Sequence, residues 1–488
     1  MEQERGNRLV LYLVIISVST AFLSLGVSSA WPTVVLTKFK NNETRVDINK
    51  NETSVMLSMY PVGFTAGSLV TRFVADKFGR RAVILGSALP ILAGSVIAAS
   101  ALKAWLLYIT AFTWNCGTGM LSTVIGIYVA EIADKDIRGR LSLITAVAFK
   151  LGMLLTMCIG PFISYEALNY SLVALPLFYV VVCFWIPETP YYYLKQGNLD
   201  GARKSLRKLR GCKNEKVLED ELMVLDGDVR KEMTPPSSAK ELFTGKQYRK
   251  AIVIAAGLKT AQMLTGGVII RQYLAWIVED TKINMDISVA FIIYAAIAFV
   301  VGLMSSILVD RVRRRTLLIG SFIGTGVSLA FVGKFFFLKD VISLHPDTLL
   351  KMSFVPLAGI IMAQTISTIG FNSLIYVIPG EIFPLNVKAV AMTSLNIFGA
   401  ALGFIVALCY QKVKDYMGSC AVFWIFAAFG FGGAVFTYYV ITETQGKQLR
   451  DIQEELQGNM YDAVPVDDQY DHPTDTELKE LTNEPSKL

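Results

Sequence analysis

Charged and amide side chains interrupt several apolar stretches of this sequence. Lys150 stands inside one such stretch, and another, GLKTAQMLTGGVIIRQY at 257–273, contains Lys259, Gln262 and Arg271. A cation in hydrocarbon costs between ~2.5 and ~17 kcal/mol, so each of these cations marks a candidate functional site. Ammonium and amide groups can donate hydrogen bonds to the hydroxyls of a neutral solute or attract an anion. The pattern therefore predicts solute binding within a membrane.

Helical spacing places four residues of the second stretch on one face. Counted from Lys259, the next three members follow after three, seven and fourteen residues: Gln262, Gly266 and Tyr273. These steps keep the four side chains within about 60° of one another on a helix. At ~1.5 Å rise per residue, Arg271 lies ~18 Å beyond Lys259, so we expect it near the outer surface as a snorkelling or extracellular-gate residue, with a substrate ligand as the alternative role. The pair at 266–267 permits local unwinding, although close helix packing is an equal explanation for two glycines.

A second class of candidate residues occurs where apolar stretches end. Each carboxylate there stands near a cation, and ion pairs between two halves of the molecule could latch one face shut and release it when the halves rock. The alternative is that these charges only set topology and anchor helix ends, but topology depends on Lys and Arg more than on acids. The candidate latch residues are Asp76, Arg80, Arg81, Glu131, Arg138, Glu188, Asp310, Arg314, Arg315, Glu381, Lys388 and Glu443.

The elements that must position these residues are membrane-spanning helices. Of the 488 residues, 53% are hydrophobic and 18% charged, and the apolar runs recur at about the length that crosses a ~30 Å hydrocarbon layer as helix. The predicted fold class is an all-α membrane protein with twelve transmembrane helices in two pseudo-symmetric six-helix bundles and short cytoplasmic helices. The predicted spans are 9–31, 55–75, 83–102, 105–130, 141–163, 170–187, 251–277, 287–309, 316–337, 353–379, 389–411 and 419–441.

An internal repeat supports the division into two halves. DKFGRR at 76–81 follows the second span and DRVRRR at 310–315 follows the eighth, while Glu131 with Arg138 and Glu381 with Lys388 end the fourth and tenth spans with the same spacing. Such duplication is typical of transporters whose site lies between the halves near the membrane midplane. We expect bundles at 1–187 and 251–441, a linker of amphipathic helices at 188–250, and a cytoplasmic tail at 442–488 that is largely disordered after 458.

The distribution of Lys and Arg predicts the orientation. Basic residues occupy every second loop and the central segment, which places those loops and both termini in the cytoplasm. Asn42 and Asn51 begin Asn-Glu-Thr sequons in an opposite loop, where glycosylation takes place, so we expect a plasma-membrane protein modified at one or both. The net charge of +6 is spread over the cytoplasmic face and indicates contact with the lipid bilayer, without a nucleic-acid partner.

Composition argues against an enzyme or a metal site. The chain has six cysteines without paired spacing, and its two histidines, His345 and His472, lie in a loop and in the tail. These residues supply neither a nucleophile–base set nor a metal-ligand cluster. We therefore expect no enzymatic activity, no cofactor and no metal, and the sequence carries no signal for an oligomeric state.

Six motifs in order resemble the sugar porters of the major facilitator superfamily over nearly the whole chain, in particular the arthropod branch that includes facilitated trehalose transporters. They are DKFGRR at 76–81, YVAEIADKDIRGRL at 128–141, PETPYYYLKQGN at 187–198, DRVRRR at 310–315, GEIFPLNVKAVAM at 380–392 and ETQGKQLRDIQEEL at 443–456. The resemblance implies a twelve-helix transporter fold and movement of a sugar, such as trehalose or a hexose, by alternating access.

Several polar groups that hold sugar in the family are replaced here. Gln262 keeps one glutamine of span seven, but Ala146 and Ala298 stand where relatives carry amides, and the stretch from Asn372 to Tyr376 replaces a Gly-Pro-x-Pro-Trp pattern. With these changes, the candidate substrate-binding residues are Lys150, Lys259, Gln262, Thr265, Gly266, Tyr273, Asn372 and Tyr376.

Three functions remain open on this evidence. Residues 9–36 contain neither Asp nor Glu, whereas proton-coupled relatives use an embedded carboxylate, so a facilitative sugar uniporter is favoured. The two embedded lysines also fit a transporter of a small anionic metabolite. The altered binding residues also fit a third function, a sugar-porter-like receptor that transports no solute.

Overall fold

The computed structural model describes residues 9–133, 137–211, 215–233, 239–245, 248–283, 285–308, 312–383, 385–441 and 443. Within these ranges every regular element is a helix. Nine helical segments there are long and apolar enough to cross a membrane. The prediction of an all-α, multi-pass membrane protein is confirmed, and the count of twelve spans stays a prediction.

The first helix group contains seven α-helices that precede the central segment. Helix α1 carries Pro32 within it, and α2 begins with a capping box in which the Asn49 side chain accepts from the backbone of Glu52 and Glu52 bonds back. The bounds are α1 Leu9–Lys40, α2 Lys50–Phe78, α3 Arg80–Gly86, α4 Ala88–Ser100, α5 Ala104–Ile132, α6 Arg138–Ile159 and α7 Tyr165–Cys183.

Four shorter helices occupy the central segment: α8 Pro190–Lys195, α9 Leu199–Arg210, α10 Glu215–Met233 and α11 Ala239–Thr244. Helix α9 buries Ala202, Leu206 and Leu209 on one side, and its last turn is basic, as an amphipathic helix requires. Arg210 donates to the Ile132 carbonyl oxygen at 2.9 Å, which joins this segment to the end of α5.

The second helix group follows the central segment. Its bounds are α12 Arg249–Leu264, α13 Gly267–Gln272, α14 Leu274–Asp280, α15 Ile287–Leu308, α16 Arg314–Asp340, α17 Pro346–Met352, α18 Val355–Ile369, α19 Phe371–Ile382 and α20 Leu385–Val440. Helix α20 is two helices joined at a kink, because Gly418 has φ 83° and ψ 167°.

The span expected at 251–277 is broken in the middle. Gly266 has φ 70°, a left-handed conformation that glycine adopts without steric cost, and it separates α12 from α13. A Cβ on Gly266 would lie 2.4 Å from the Phe426 ring, so the backbone also approaches α20 closely there. The glycine pair therefore marks a helix break and a close packing contact together.

The two groups pack on each other through α2 against α20 and α6 against α15. We call the end of the bundle that contains Arg80 and Arg314 the basic end, and the end that contains Lys40 and Lys50 the opposite end. Polar contacts between described residues join the groups at the opposite end: Thr33 Oγ1 to the Arg271 carbonyl oxygen (3.0 Å), Trp276 Nε1 to the Leu36 carbonyl oxygen (3.2 Å), the Ser54 and Tyr273 hydroxyls (3.0 Å), and Lys40 Nζ to Glu279 Oε1 (2.6 Å).

Candidate functional site

Two adjoining cavities lie between the helix groups, each of about 430 Å³. Phe149, Met263, Val268 and Arg271 line both, so the cavities share a wall. This volume is within the ~300–1,000 Å³ typical of small-molecule sites. We name them the first cavity, which contains Lys150 and Gln262, and the second cavity, which contains Lys259.

A chain of hydrogen bonds crosses the region where the sequence predicted a binding site. Lys259 Nζ donates to Gln262 Oε1 at 3.2 Å, and Gln262 Nε2 donates to Asn372 Oδ1 at 2.9 Å. These bonds connect α12 to α19. Gln262 and Asn372 line the first cavity, where their remaining donor and acceptor positions could meet solute hydroxyls.

Lys259 itself is only 6% exposed and borders the second cavity. Its aliphatic stem lies on α20, since a Cβ at Gly399 would be 2.3 Å from Lys259 Cε. The absence of a side chain at Gly399 thus provides the room for this lysine. Lys259 is held by neighbours of its own helix group, and its ammonium orients Gln262.

Lys150 reaches from α6 across to the second helix group. A Cβ at Gly302 of α15 would lie 3.2 Å from Lys150 Cε, so the stem packs on that glycine while the residue lines the first cavity. Among the described residues its ammonium has neither a hydrogen-bond nor an ion-pair partner. The two lysines that the sequence treated alike therefore differ: Lys259 is bonded and Lys150 is not.

Arg271 lies both in the cavity wall and at the opposite end. Its side chain lines both cavities, its Nε is buried without a hydrogen-bond partner, and its carbonyl oxygen accepts from Thr33 of the other helix group. The ~18 Å estimate assumed one straight helix, whereas the break at Gly266 starts a new helix, α13. This position fits an extracellular-gate residue or a substrate ligand better than a snorkelling residue, and the role of Arg271 stays a prediction.

Tyr273 was expected in the binding face but lies outside both cavity linings. It is fully buried, bonds Ser54 and stacks on Tyr410 with ring centroids 4.4 Å apart, so it joins the helix groups at the opposite end. Thr265 borders the first cavity and Gly266 the second. The Thr265 hydroxyl donates its hydrogen to the Gln262 carbonyl oxygen at 2.7 Å. The side chain of Tyr376 lies outside the described residues.

Additional polar residues of the first cavity escaped the sequence analysis. They come from α15, α18 and α19, and the signal was the polar run QTISTIGFNS at 364–373 inside an apolar stretch. Ser305 Oγ donates to the Thr368 carbonyl oxygen at 2.9 Å, and Gln364 Nε2 donates to Thr368 Oγ1 at 3.0 Å. The residues concerned are Tyr294, Ser305, Gln364, Ser367, Thr368 and Ser373.

At the basic end, the described candidate latch residues pair within their own helix group. Arg80 is 2% exposed and donates from Nε (3.1 Å) and Nη2 (2.9 Å) to Glu131 Oε1. Arg80 Nη1 also lies 3.1 Å from Asp76 Oδ1. All three residues belong to the first group, so these bonds hold α2, α3 and α5 together and do not connect the groups in this structure.

Glu188 and Glu443 occupy matching positions in the two groups. Glu188 accepts the backbone N–H groups of Arg80 and Arg81 at 3.0 Å each, and Glu443 accepts those of Arg314 and Arg315 at 3.1 and 3.3 Å. Each carboxylate therefore lies at a helix N-terminus, where the exposed N–H groups and the helix dipole favour an anion. Burial raises the pKa of the Glu188 carboxyl above its ordinary value, and the backbone donors counteract part of that rise.

The matching extends to two arginine side chains. Arg81 donates to the Phe184 carbonyl oxygen and Arg315 to the Tyr438 carbonyl oxygen, the second at 2.6 Å. The two copies of the sequence repeat thus make equivalent hydrogen bonds in the two helix groups. Asp310 and the side chains of Arg138, Glu381 and Lys388 lie outside the described residues, so their part in a latch stays a prediction.

The sequon residues Asn42 and Asn51 are both exposed at the opposite end. In the described part of the chain, no group of three or more His, Cys, Asp or Glu side chains could hold a metal ion.

A family model described as "Sugar (and other) transporter" matches residues 14–456. The chain therefore belongs to this family of membrane transporters. It is 27% identical over 445 residues to the facilitated trehalose transporter Tret1 of Bombyx mori, covering 91% of this chain and 86% of the relative. A Tret1 of Drosophila pseudoobscura pseudoobscura is 28% identical over 452 residues, 92% of this chain, although the chain spans only about half (51%) of that relative.

Solved structures show the same fold. The xylose transporter XylE from E. coli in an inward open conformation superposes with a TM-score of 0.74 at 17% identity, covering 91% of this chain and 99% of that one. A structure of XylE titled as a major facilitator superfamily proton:xylose symporter gives a TM-score of 0.70 at 18% identity, over 91% and 98% of the two chains. At this identity the likeness establishes the major facilitator fold and nothing about the solute.

Proposed function

We propose that this protein is a facilitative transporter of a sugar, such as trehalose or a hexose. The observation that carries the proposal is the amide pair of Gln262 and Asn372 in the wall of a cavity that lies between the two helix groups. Amides provide both donors and acceptors, as recognition of hydroxyls requires. Membership of the sugar transporter family and the names of the relatives support the same solute class.

The proposed topology has twelve spans. Besides the helical segments that meet the length and hydropathy criteria, α2 and α5 each have 29 residues, α18 and α19 follow one another directly, and the kink at Gly418 divides α20 into two spans. We assign the six-helix bundles to 1–187 and 251–441. The basic end then faces the cytoplasm with both termini, and the sequons face outward from a plasma membrane.

The positions of the contacts between the helix groups support the proposal of alternating access. The groups are joined by polar contacts at the opposite end, whereas the described charges of the basic end pair within each group. We assign this arrangement to the state that is closed to the outside. In the other state the bundles would rock, the outer contacts would separate, and an exposed latch carboxylate such as Asp76 would be free to bridge the groups.

We propose uniport because neither residues 9–36 nor the described linings of the two cavities supply a carboxylate for proton coupling. Flux would then run down the gradient of the sugar alone.

Uptake of labelled trehalose and glucose in oocytes tests the proposal. We expect saturable uptake of at least one, which Gln262→Ala reduces although surface expression is equal. The absence of flux for any tested sugar at normal expression would favour the receptor hypothesis. Electrogenic, pH-dependent currents would contradict uniport.

A further inference from the structure

Two cations without counter-ions face the first cavity from different helix groups. Lys150 projects from α6 of the first group and Arg271 from α13 of the second, and both line this cavity. Like charges that line one cavity repel each other. Among the described residues neither side chain has a hydrogen-bond or ion-pair partner, and the Arg271 Nε is buried.

No acid in the lining compensates this charge. The described residues of both cavities include neither Asp nor Glu, and the other cation there, Lys259 in the second cavity, adds positive charge. Buried charges are normally paired, because leaving them unpaired in a medium of low dielectric constant is costly. An unpaired lysine and arginine that face one cavity form a place for an anion, and a guanidinium can bind a carboxylate through two parallel hydrogen bonds.

The remainder of the same cavity is suited to hydroxyl groups. Gln262 and Asn372 lie in its lining, and Ser373 and Thr368 border it from α19 and α18. One cavity thus combines two cations with an amide and hydroxyl wall. A neutral sugar would leave the cations unpaired, and a simple carboxylate would leave the polar wall unused.

We propose that the preferred solute is a sugar acid, a hydroxylated ring or chain that carries one carboxylate, held by Lys150 and Arg271 at the carboxylate. This inference deepens the proposed sugar transport and rests on it. Lys150 belongs to the first helix group and Arg271 to the second. A carboxylate that binds both cations therefore joins the two groups near the opposite end. Binding of the anion then removes the repulsion that opposes closure at that end, which couples solute loading to the conformational change.

Glucuronate and glucose form a matched test pair, since they differ only in a carboxylate that replaces a hydroxymethyl group. Binding of each labelled solute is measured on the purified full-length protein in nanodiscs, and uptake is measured in oocytes. We expect glucuronate to bind at least tenfold more tightly than glucose. Lys150→Gln and Arg271→Gln should each reduce this preference at least tenfold, whereas Lys150→Arg, which keeps the charge, should retain most of it.

Lys334→Gln is the control, because Lys334 is an exposed lysine of α16 outside both cavities. It should leave the preference unchanged. Uptake of glucose without any binding of glucuronate would overturn the sugar-acid inference and leave sugar transport standing. Binding of glucuronate that depends on Lys150, without flux of either solute, would support the anion site and count against transport. Glucose uptake that requires chloride, with no effect of glucuronate, would assign the cations to an inorganic anion and overturn the inference.

Discussion

Gln262 Nε2 donates to Asn372 Oδ1 over 2.9 Å and so links α12 to α19 at the wall of the first cavity. The same glutamine accepts from Lys259 Nζ at 3.2 Å. Two of its hydrogen-bonding positions are therefore used before any solute arrives. A fixed amide presents its remaining positions in one orientation, which is the preorganisation that a specific site needs.

The first prediction concerns this amide pair. Gln262→Ala and Asn372→Ala should each raise the KM for the transported sugar roughly fivefold, because a lost hydrogen bond costs about 1 kcal/mol and a tenfold change corresponds to about 1.4 kcal/mol. The free-energy change of the double variant, calculated from its KM, should be smaller than the sum for the two single variants, because each single change already removes the hydrogen bond between the two amides. Uptake kinetics at matched surface expression measure this. Asn41→Ala, at an exposed amide, should leave KM unaltered, and strictly additive effects would argue against a functional pair.

The second prediction concerns the break in α12–α13. Gly266→Ala should destabilise the protein, because a left-handed backbone costs a residue with a side chain ~1–2 kcal/mol and the new methyl group would meet the Phe426 ring at 2.4 Å. Gly267→Ala is the matched control, since a Cβ there meets nothing within 4 Å. Thermal unfolding in detergent and uptake measure both variants. Equal melting temperatures for the two would show that the break is not required.

The third prediction concerns the matching carboxylates. Glu188→Gln and Glu443→Gln should both lower the melting temperature, because each amide offers one acceptor oxygen where the carboxylate accepts two backbone N–H groups of neighbouring arginines. The expected loss is about 1–3 kcal/mol per site. Asp200→Asn, an exposed acid paired with Arg203, should change stability by no more than about 0.5 kcal/mol. A stabilising effect at one site and a destabilising effect at the other would contradict the structural repeat.

Much of the fold was accessible from the sequence because apolar runs of membrane length and duplicated charge motifs are strong periodic signals. The repeat was visible as DKFGRR and DRVRRR, and it reappears as the backbone contacts of Glu188 and Glu443. The precise partners were less accessible, since spacing along the chain shows that charges share an end of the bundle and does not show which helix each will contact. Tertiary packing decides that these charges pair within each helix group.

The candidate site was only partly predictable, for a local reason. Gln262, Asn372 and Lys150 line the first cavity, as helical spacing and the family resemblance indicated. Tyr273 lies outside both cavity linings because the helical-wheel argument continues past Gly266, where the backbone turns left-handed and resets the face. A glycine pair permits such a break without requiring it, so the position of everything after it depended on packing against Phe426.

The fourth prediction tests the alternating movement directly. Lys40 Nζ lies 2.6 Å from Glu279 Oε1 and joins the two helix groups at the opposite end, whereas Arg45 Nε lies 3.3 Å from Glu166 Oε1 within the first group. In a variant whose six native cysteines are replaced by alanine, Lys40→Cys with Glu279→Cys is bridged by a short bis-methanethiosulfonate, which forms one reducible disulfide with each thiol and releases methanesulfinate. Transport should fall by at least tenfold and return on reduction, because the groups cannot separate at that end.

The pair Arg45→Cys with Glu166→Cys supplies the matched control for the same reagent. Both residues move with one bundle in a rocking mechanism, so this bridge should leave uptake within about twofold of the unbridged variant. Equal inhibition by both bridges would point to a general effect of the reagent. Full transport by the variant bridged between positions 40 and 279 would mean that the opposite end does not open during the cycle. The assignment of this structure to an outward-closed state would then be wrong.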